Sequence, residues 1–419
     1  RPNERASACG ICRDHVLMGT KIVKGNRIAI TTSKKGDLAT ALFGNYQVEF
    51  LEAEKGKMPA QDVEKFWDVN IKNDGSVPCD VTFMPLNGYV PVYEEKDEYD
   101  DRILAGYRSE EKKLELIDMI REGVPRSFYH IASTALSFGD RGDLYGVDAL
   151  GVLKADVDHL GALFSCGFQG RRFTLSRLAT FSRILNNFFA LYLPYALRNE
   201  NKGAFRNTYT VFAGGDDLFL IGPWNKTRDL AIFIADKFKT YACENPKVHL
   251  SAGITVHKPS TPMDVIAEES EEALGLAKAL GRNRVTMFYR TVTWDEFKDL
   301  VNNIMPRMER WLTDGWFSRS LFHRLLTFVD MAELEKRVKK AIQQGRSFSV
   351  SDIESFKWRA FLRYYIVRNV AKNISDKTAL KETHQILIES LAKWLDDYGG
   401  AMIIPLWSIL YETRKKRGQ

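Results

Sequence analysis

Cysteine is scarce: five in 419 residues, three of them isolated at 79, 166 and 243. That excludes a disulfide-stapled scaffold and points to a reducing compartment. Long apolar runs are also missing. No stretch reaches the roughly 18 residues of a membrane-spanning helix, and the best, 401–411, is interrupted by Pro405. No signal-peptide apolar segment is present, and the first residues are Arg1, Pro2 and Asn3 without Met, as expected for a piece of a longer protein. The charge excess is small, net +6. It is compatible with anionic partners and too weak to identify a nucleic-acid binder. What remains is the composition of a globular protein long enough for about two to four domains.

The most informative segment is Ala213-Gly214-Gly215-Asp216-Asp217-Leu218, between the apolar runs 209–212 and 218–221. It reads as a tight β-hairpin, with Gly214 and Gly215 supplying positive φ and leaving the backbone open to a ligand. Adjacent carboxylates between buried strands are costly without a cation, so a divalent metal carrying nucleotide phosphates explains them economically. Leu150 to Val157 is an apolar strand with Asp156 near its end. Helical periodicity follows over 175–198, then the hairpin, a helix over about 227–242, a strand over 249–256, a helix over 264–280 and a strand over 284–289. The order β-α-β-β-α-β is the split-βαβ pattern. A right-handed crossover brings the ends of the first two strands to one sheet edge. Asp156, Asp216 and Asp217 can then share one or two Mg²⁺ or Mn²⁺ ions, hard cations that take oxygen ligands. Asp158 either joins this cluster or caps a helix. Lys278 sits near a helix C-terminus ahead of Gly281, where cations are favoured, and is a candidate phosphate ligand.

Outside this segment the chemistry is sparser. Cys9-Gly10-Ile11-Cys12 offers two thiolates where structural zinc wants four ligands. The partner pair lies upstream, or His15 helps, or no metal binds; a redox pair is a further reading. Residues 21–105 mix short β-rich runs with Gly and Lys turns, and 94–115 reads as a charged connector. Helical runs dominate after 294, at 294–313, 319–343, 351–374 and 378–398. Residues 356–369 interleave bases with aromatics, either as a core helix with a basic outer face or as an RNA-contacting one. The tail from Thr413 is basic and reads as disordered. The expected fold class is α+β: residues 1–147 as a partial zinc ribbon with a β-containing linker region, 148–292 as a ferredoxin-like palm, and 293–419 as an all-α C-terminal bundle.

Together, Asp156, the Gly-Gly-Asp-Asp turn and Ala277-Lys278-Ala279-Leu280-Gly281-Arg282-Asn283 resemble the polymerase/cyclase palm. Diguanylate cyclases share the last element, but here the turn is GGDD rather than GGDEF, no Arg-x-x-Asp precedes it, and Asp158-His159-Leu160-Gly161 replaces their Asp-x-Phe-Lys. The fuller pattern, at 150–161, 175–177, 187–189, 212–224 and 250–254, resembles the large subunit of type III-A (Csm-type) CRISPR effector complexes. Cys9 and Cys12, followed by Leu17-Met18-Gly19-Thr20-Lys21, look like the second half of that family's zinc ribbon. The resemblance implies a prokaryotic cytoplasmic enzyme that converts ATP to cyclic oligoadenylate with Mg²⁺ or Mn²⁺ when its complex holds target RNA. It implies metal binding by Asp156, Asp216, Asp217 and the Val157 carbonyl, and ATP binding by Gly214, Gly215 and Lys278, with Ser251, Ser182 and Asn283 as further substrate-binding candidates. Zinc at Cys9 and Cys12 would be structural. Implied partners are the repeat-associated and small helical subunits and the guide RNA, with no membrane. The family's nuclease uses a His-Asp pair, and none of the seven histidines here precedes Asp, so that activity is not expected. A first palm would lie mostly upstream, so this chain alone should make little product. The alternatives are a non-catalytic scaffold and a GTP-using GGDEF-like cyclase.

Overall fold

The computed structural model describes residues 9–416 apart from 25–26, 33–35, 39–41, 52–62, 70–75, 77–81, 86–87, 96, 98–99, 105–110, 112–113, 115–116, 118–119, 141, 168–169 and 171–172. Cys79 and much of the charged connector at 94–115 lie outside the described residues. The fold mixes helices and sheets. Among the described residues the strands are β1 (Arg27–Thr31), β2 (Gln47–Leu51), β3 (Val63–Asp68), β4 (Ser137–Phe138), β5 (Leu144–Tyr145), β6 (Leu150–Val157), β7 (Tyr209–Gly214), β8 (Asp217–Pro223), β9 (Leu250–His257), β10 (Arg284–Met287) and β11 (Arg290–Thr293). The chain divides into two compact units, residues 1–131 with 160–222 and residues 132–159 with 223–419.

In the first unit β1 lies between β2 and β3, antiparallel to both. β7 and β8 form an antiparallel hairpin with a bulge between Thr210 and Phe212, a device that increases twist and re-aims side chains. Tyr89 accepts the Thr210 N–H at 2.8 Å, so part of the β7 backbone is paired by a non-strand segment. The single helix expected over 175–198 is three pieces: Leu175–Asn187, a π-turn at Phe188–Tyr192, and Leu193–Asn199. Pro194 explains the break. Its ring would clash in the preceding turn and it donates no hydrogen bond, and the wider turn, closed by Leu193 N–H to the Phe188 carbonyl, absorbs the defect. The second unit repeats the device, with a π-turn at Leu300–Ile304 just ahead of Pro306.

In the second unit β6 and β9 are antiparallel, β9 and β10 parallel, and β10 and β11 antiparallel. Two glycines let helices press onto these strands. A Cβ on Gly151 would come within 2.6 Å of the Trp224 backbone, and one on Gly253 within 2.5 Å of the Leu274 backbone. The helices Trp224–Tyr241 and Met263–Ala279 therefore approach β6 and β9 closely. β11 was not expected, because the Phe288-Tyr289 turn that leads into it lacks the Asn or Gly of ordinary hairpins.

The C-terminal helices bury continuous apolar stripes, such as Leu321, Leu325, Phe328 and Ala332 on Arg319–Gln343. In the helix Trp358–Asn369, Trp358, Leu362 and Ile366 are buried while Phe361, Tyr364 and Val367 are exposed. The basic tail departs from expectation. Lys416 N–H donates to the Leu144 carbonyl and Gly146 N–H to the Arg414 carbonyl, while Lys415 pairs with Asp143 at 2.7 Å. Residues 414–416 are thus laid along β5. No described helix is long and apolar enough to cross a membrane.

Candidate functional site

The candidate residues fall in both units. In the second, Asp156 is the penultimate residue of β6, opposite Ser251 on β9. Its carboxylate is half-buried and meets the Lys278 ammonium at 2.6 Å. Lys278 reaches it from the last turn of Met263–Ala279, the helix that Gly253 admits close to the strands. Val157 is buried.

Asp158 neither caps a helix nor joins an open acidic cluster. Its side chain is fully enclosed and accepts hydrogen bonds from His249 Nδ1 at 2.7 Å, Ser251 Oγ at 2.8 Å and Asn283 N–H at 2.9 Å. Burial opposes its ionisation, but the bonds from His249, Asn283 and Ser251 outweigh burial and hold its pKa below the ordinary carboxylate value. Gly281, Arg282 and Asn283 have φ of 126°, 60° and 48°, and this turned backbone carries the Asn283 N–H that Asp158 accepts. The knot ties the loop after β6 to the loop that follows Lys278.

Ser251 is corrected by this arrangement. It is fully buried and its hydroxyl is given to Asp158, so it does not face a base. Asn283 keeps an exposed side chain, its backbone being the part that is anchored.

In the first unit the β7–β8 turn has Gly215 and Asp216 at its tip, between the paired Gly214 and Asp217. Only Gly215 has positive φ, 66°; Gly214 lies in the strand, contrary to expectation. One left-handed residue at the first turn position is the type II′ pattern. Asn186 Oδ1 accepts the Gly215 N–H at 3.0 Å and would meet a Cβ on Gly214 at 3.5 Å. Sequence reasoning missed Asn186, since nothing local links it to a turn 29 residues away. Ser182 is exposed one helical turn before Asn186, on the same helix face. Asp216 and Asp217 are partly exposed.

A hard divalent cation would find oxygen donors in Asp156 of the second unit and, separately, in Asp216 and Asp217 of the first. The ammonium on Asp156 is a cation already held at one of these oxygens. Among the described residues no group of three or more His, Cys, Asp and Glu is gathered to hold a metal ion; Mg²⁺ commonly takes only one or two carboxylates, with phosphates and waters completing its shell. At the N-terminus Cys9 and Cys12 open the helix Gly10–Lys24 with their sulfurs 3.3 Å apart. The Cys12 N–H, 3.4 Å from Cys9 Sγ, lowers the Cys9 pKa. Both thiols are exposed.

Residues 149–286 match the family described as Cas10/Cmr2, second palm domain. The chain is 35% identical over 169 residues to the "CRISPR system single-strand-specific deoxyribonuclease Cas10/Csm1 (subtype III-A)" of Methanocaldococcus jannaschii, covering 36% of this chain and 21% of that protein. It is 32% identical over 217 residues to the protein of the same description from Mycobacterium tuberculosis, covering 47% and 26%. A chain in the crystal structure of a Csm1-Csm4 cassette in complex with one ATP superposes with a TM-score of 0.59 at 19% identity, over 96% of this chain and 50% of that one. At that identity the likeness is one of fold. This chain spans about a quarter of the length of these curated relatives and half of that solved chain. Over residues 149–286 the chain is similar to the second palm domain of the Cas10/Cmr2 family.

Proposed function

We propose that the chain is the cyclase palm of a type III-A CRISPR effector complex and joins ATP into cyclic oligoadenylate. The observation that carries this reading is the Asp156–Lys278 pair, a carboxylate and an ammonium 2.6 Å apart. A cation on the one and a phosphate on the other would be neighbours, as nucleotidyl transfer needs. Related Csm1-Csm4 cassettes have been crystallised with ATP, pppApA, pppApApA, cA3 and cA4. Applied to this chain, that series describes a 3′-hydroxyl attacking an ATP α-phosphate. A new O–P bond forms, the hydroxyl proton passes to solvent, and pyrophosphate leaves. In the last turn the terminal 3′-hydroxyl attacks the α-phosphate of its own 5′-triphosphate, losing its proton to solvent and expelling pyrophosphate as the ring closes.

In this reading the palm is a split-βαβ fold preceded by a zinc-ribbon remnant and followed by a helical bundle. Asp156, Asp216 and Asp217, with the Val157 carbonyl, would hold Mg²⁺ or Mn²⁺. Such ions, when bound, would supply Lewis-acid chemistry, lowering the pKa of a hydroxyl and offsetting charge on phosphate. Lys278 would bind the triphosphate, Gly214 and Gly215 would leave room for it, and Ser182 and Asn283 would contact base or ribose. Cys9 and Cys12 would complete a structural zinc site with ligands outside this chain. Guide RNA, target RNA and the other Csm-type subunits would be partners in the prokaryotic cytoplasm.

The test is radiolabelled ATP with Mn²⁺, the assembled complex and target RNA. The Asp216→Ala/Asp217→Ala variant should lower oligoadenylate by roughly 100-fold or more while the complex still assembles. Undiminished product from that complex would leave the non-catalytic scaffold reading. Thermal stabilisation by GTP and not ATP would favour a GGDEF-like cyclase instead.

A further inference from the structure

On the helix Met263–Ala279, Glu269 and Glu272 border a cavity of about 250 Å³ whose aromatic walls are Phe288, Tyr289, Trp407 and Tyr411. None of these residues belongs to the nucleotide site proposed above. The walls are fixed. Trp407 and Tyr411, one turn apart on the helix Ile403–Glu412, stack with ring centroids 6.2 Å apart. Phe288 meets them edge-on at 5.2 and 5.9 Å. Phe288 and Tyr289 are the two-residue turn between β10 and β11, with φ of 50° and 59°. Bulky side chains rarely adopt that conformation, and strained backbone collects at ligand-binding positions. Tyr289 is 81% exposed, so burial of its own ring does not account for its placement.

The polar groups of the cavity narrow its occupant. The Thr255 and Thr286 hydroxyls are engaged with His257 and Thr291 at 2.7 and 2.8 Å. That leaves the two carboxylates. Glu269 has His257 at 3.7 Å, but burial lowers the His257 pKa and favours the neutral ring, which leaves the charge of Glu269 uncancelled. Among the described residues no Lys or Arg lines the cavity and Glu272 makes no ion pair.

We propose that this cavity binds one arginine side chain of a partner protein. A guanidinium is flat, weakly hydrated and always charged. It stacks on Trp and Tyr faces while its forked N–H donors reach carboxylates. The same two carboxylates repel phosphate, which disfavours a nucleotide or RNA as the occupant.

The experiment uses the full chain labelled with 5-fluorotryptophan. The Trp407 ¹⁹F resonance is assigned by its loss in Trp407→Phe, and the other seven tryptophans report that each variant is folded. Titration with Gly-Arg-Gly amide should move the Trp407 resonance saturably. A Glu269→Gln/Glu272→Gln variant, altered only at exposed positions, should weaken that binding about tenfold or more. Gly-citrulline-Gly amide, flat but uncharged, should leave the resonance unmoved. An arginine peptide without effect at tens of millimolar, an equal shift from citrulline, or equal affinity for Gly-Lys-Gly amide would each overturn the proposal.

Discussion

At the end of β6, Asp158 is enclosed and takes hydrogen bonds from His249, Ser251 and Asn283. At the β7–β8 turn, Asn186 accepts a bond from the Gly215 N–H, and Asp216 and Asp217 remain partly exposed. Both places carry candidate metal-binding carboxylates, yet they are built on opposite plans. Buried polar atoms around Asp158 set the backbone before any ligand arrives. That fixes Asp156 and the segment carrying Lys278, whose pairing then needs no rearrangement. The turn leaves its two carboxylates partly exposed to water, where Asp158 is fully enclosed.

The sharpest way to break this contrast is to remove the knot. Asp158→Ala leaves the Ser251 hydroxyl, the Asn283 N–H and the His249 ring without their acceptor. It should cost about 3 kcal/mol of stability, read as a lower urea midpoint. A loss under about 1 kcal/mol would mean that the buried network sets little.

Acid sharpens the comparison next. The Asp158 pKa lies below its ordinary value in the folded chain, so its stabilisation is complete above about pH 4, the unfolded value. It is lost as pH falls through the lower folded value. Asp158→Asn should flatten that acid limb. Glu309 has the opposite sign. Burial and the neighbouring Glu412 push it up to about 7, so stability falls as pH rises from about 4.5 through 7. Glu309→Gln should abolish this second slope without touching the first, measured by urea unfolding between pH 3 and 8. A single slope removed by both variants would refute the separation.

The same contrast explains what could be read from the sequence. Strand β6, the β7–β8 hairpin and the helix carrying Lys278 each announce themselves locally, by an apolar run, by Gly-Gly-Asp-Asp or by helical spacing. The end of β6 is different. Asp158 is joined to partners 91, 93 and 125 residues away, and no local pattern records such a meeting. Ser251 looked available for the same reason, since its burial is a property of the assembled sheet. The π-turns follow from Pro194 and Pro306, a signal that was present in the sequence and unused. The Phe288-Tyr289 turn hid β11 because its residues oppose its conformation.

The smallest effect is expected at the β7–β8 turn. Asn186→Ala removes one bond to a partly exposed N–H that water can replace, so the loss should be about 1 kcal/mol. Gly215→Ala should cost a similar amount for a different reason. A Cβ there would meet nothing within 4 Å, so the penalty is the left-handed φ of 66° rather than a clash. Because the first change acts through the helix Leu175–Asn187 and the second through the turn's own backbone, their costs should add within about 0.5 kcal/mol only if the Asn186 bond survives in Gly215→Ala. Strong non-additivity would show that the bond and the turn conformation form a single unit. The turn would then be held as cooperatively as the end of β6, and the distinction between the two places would fail.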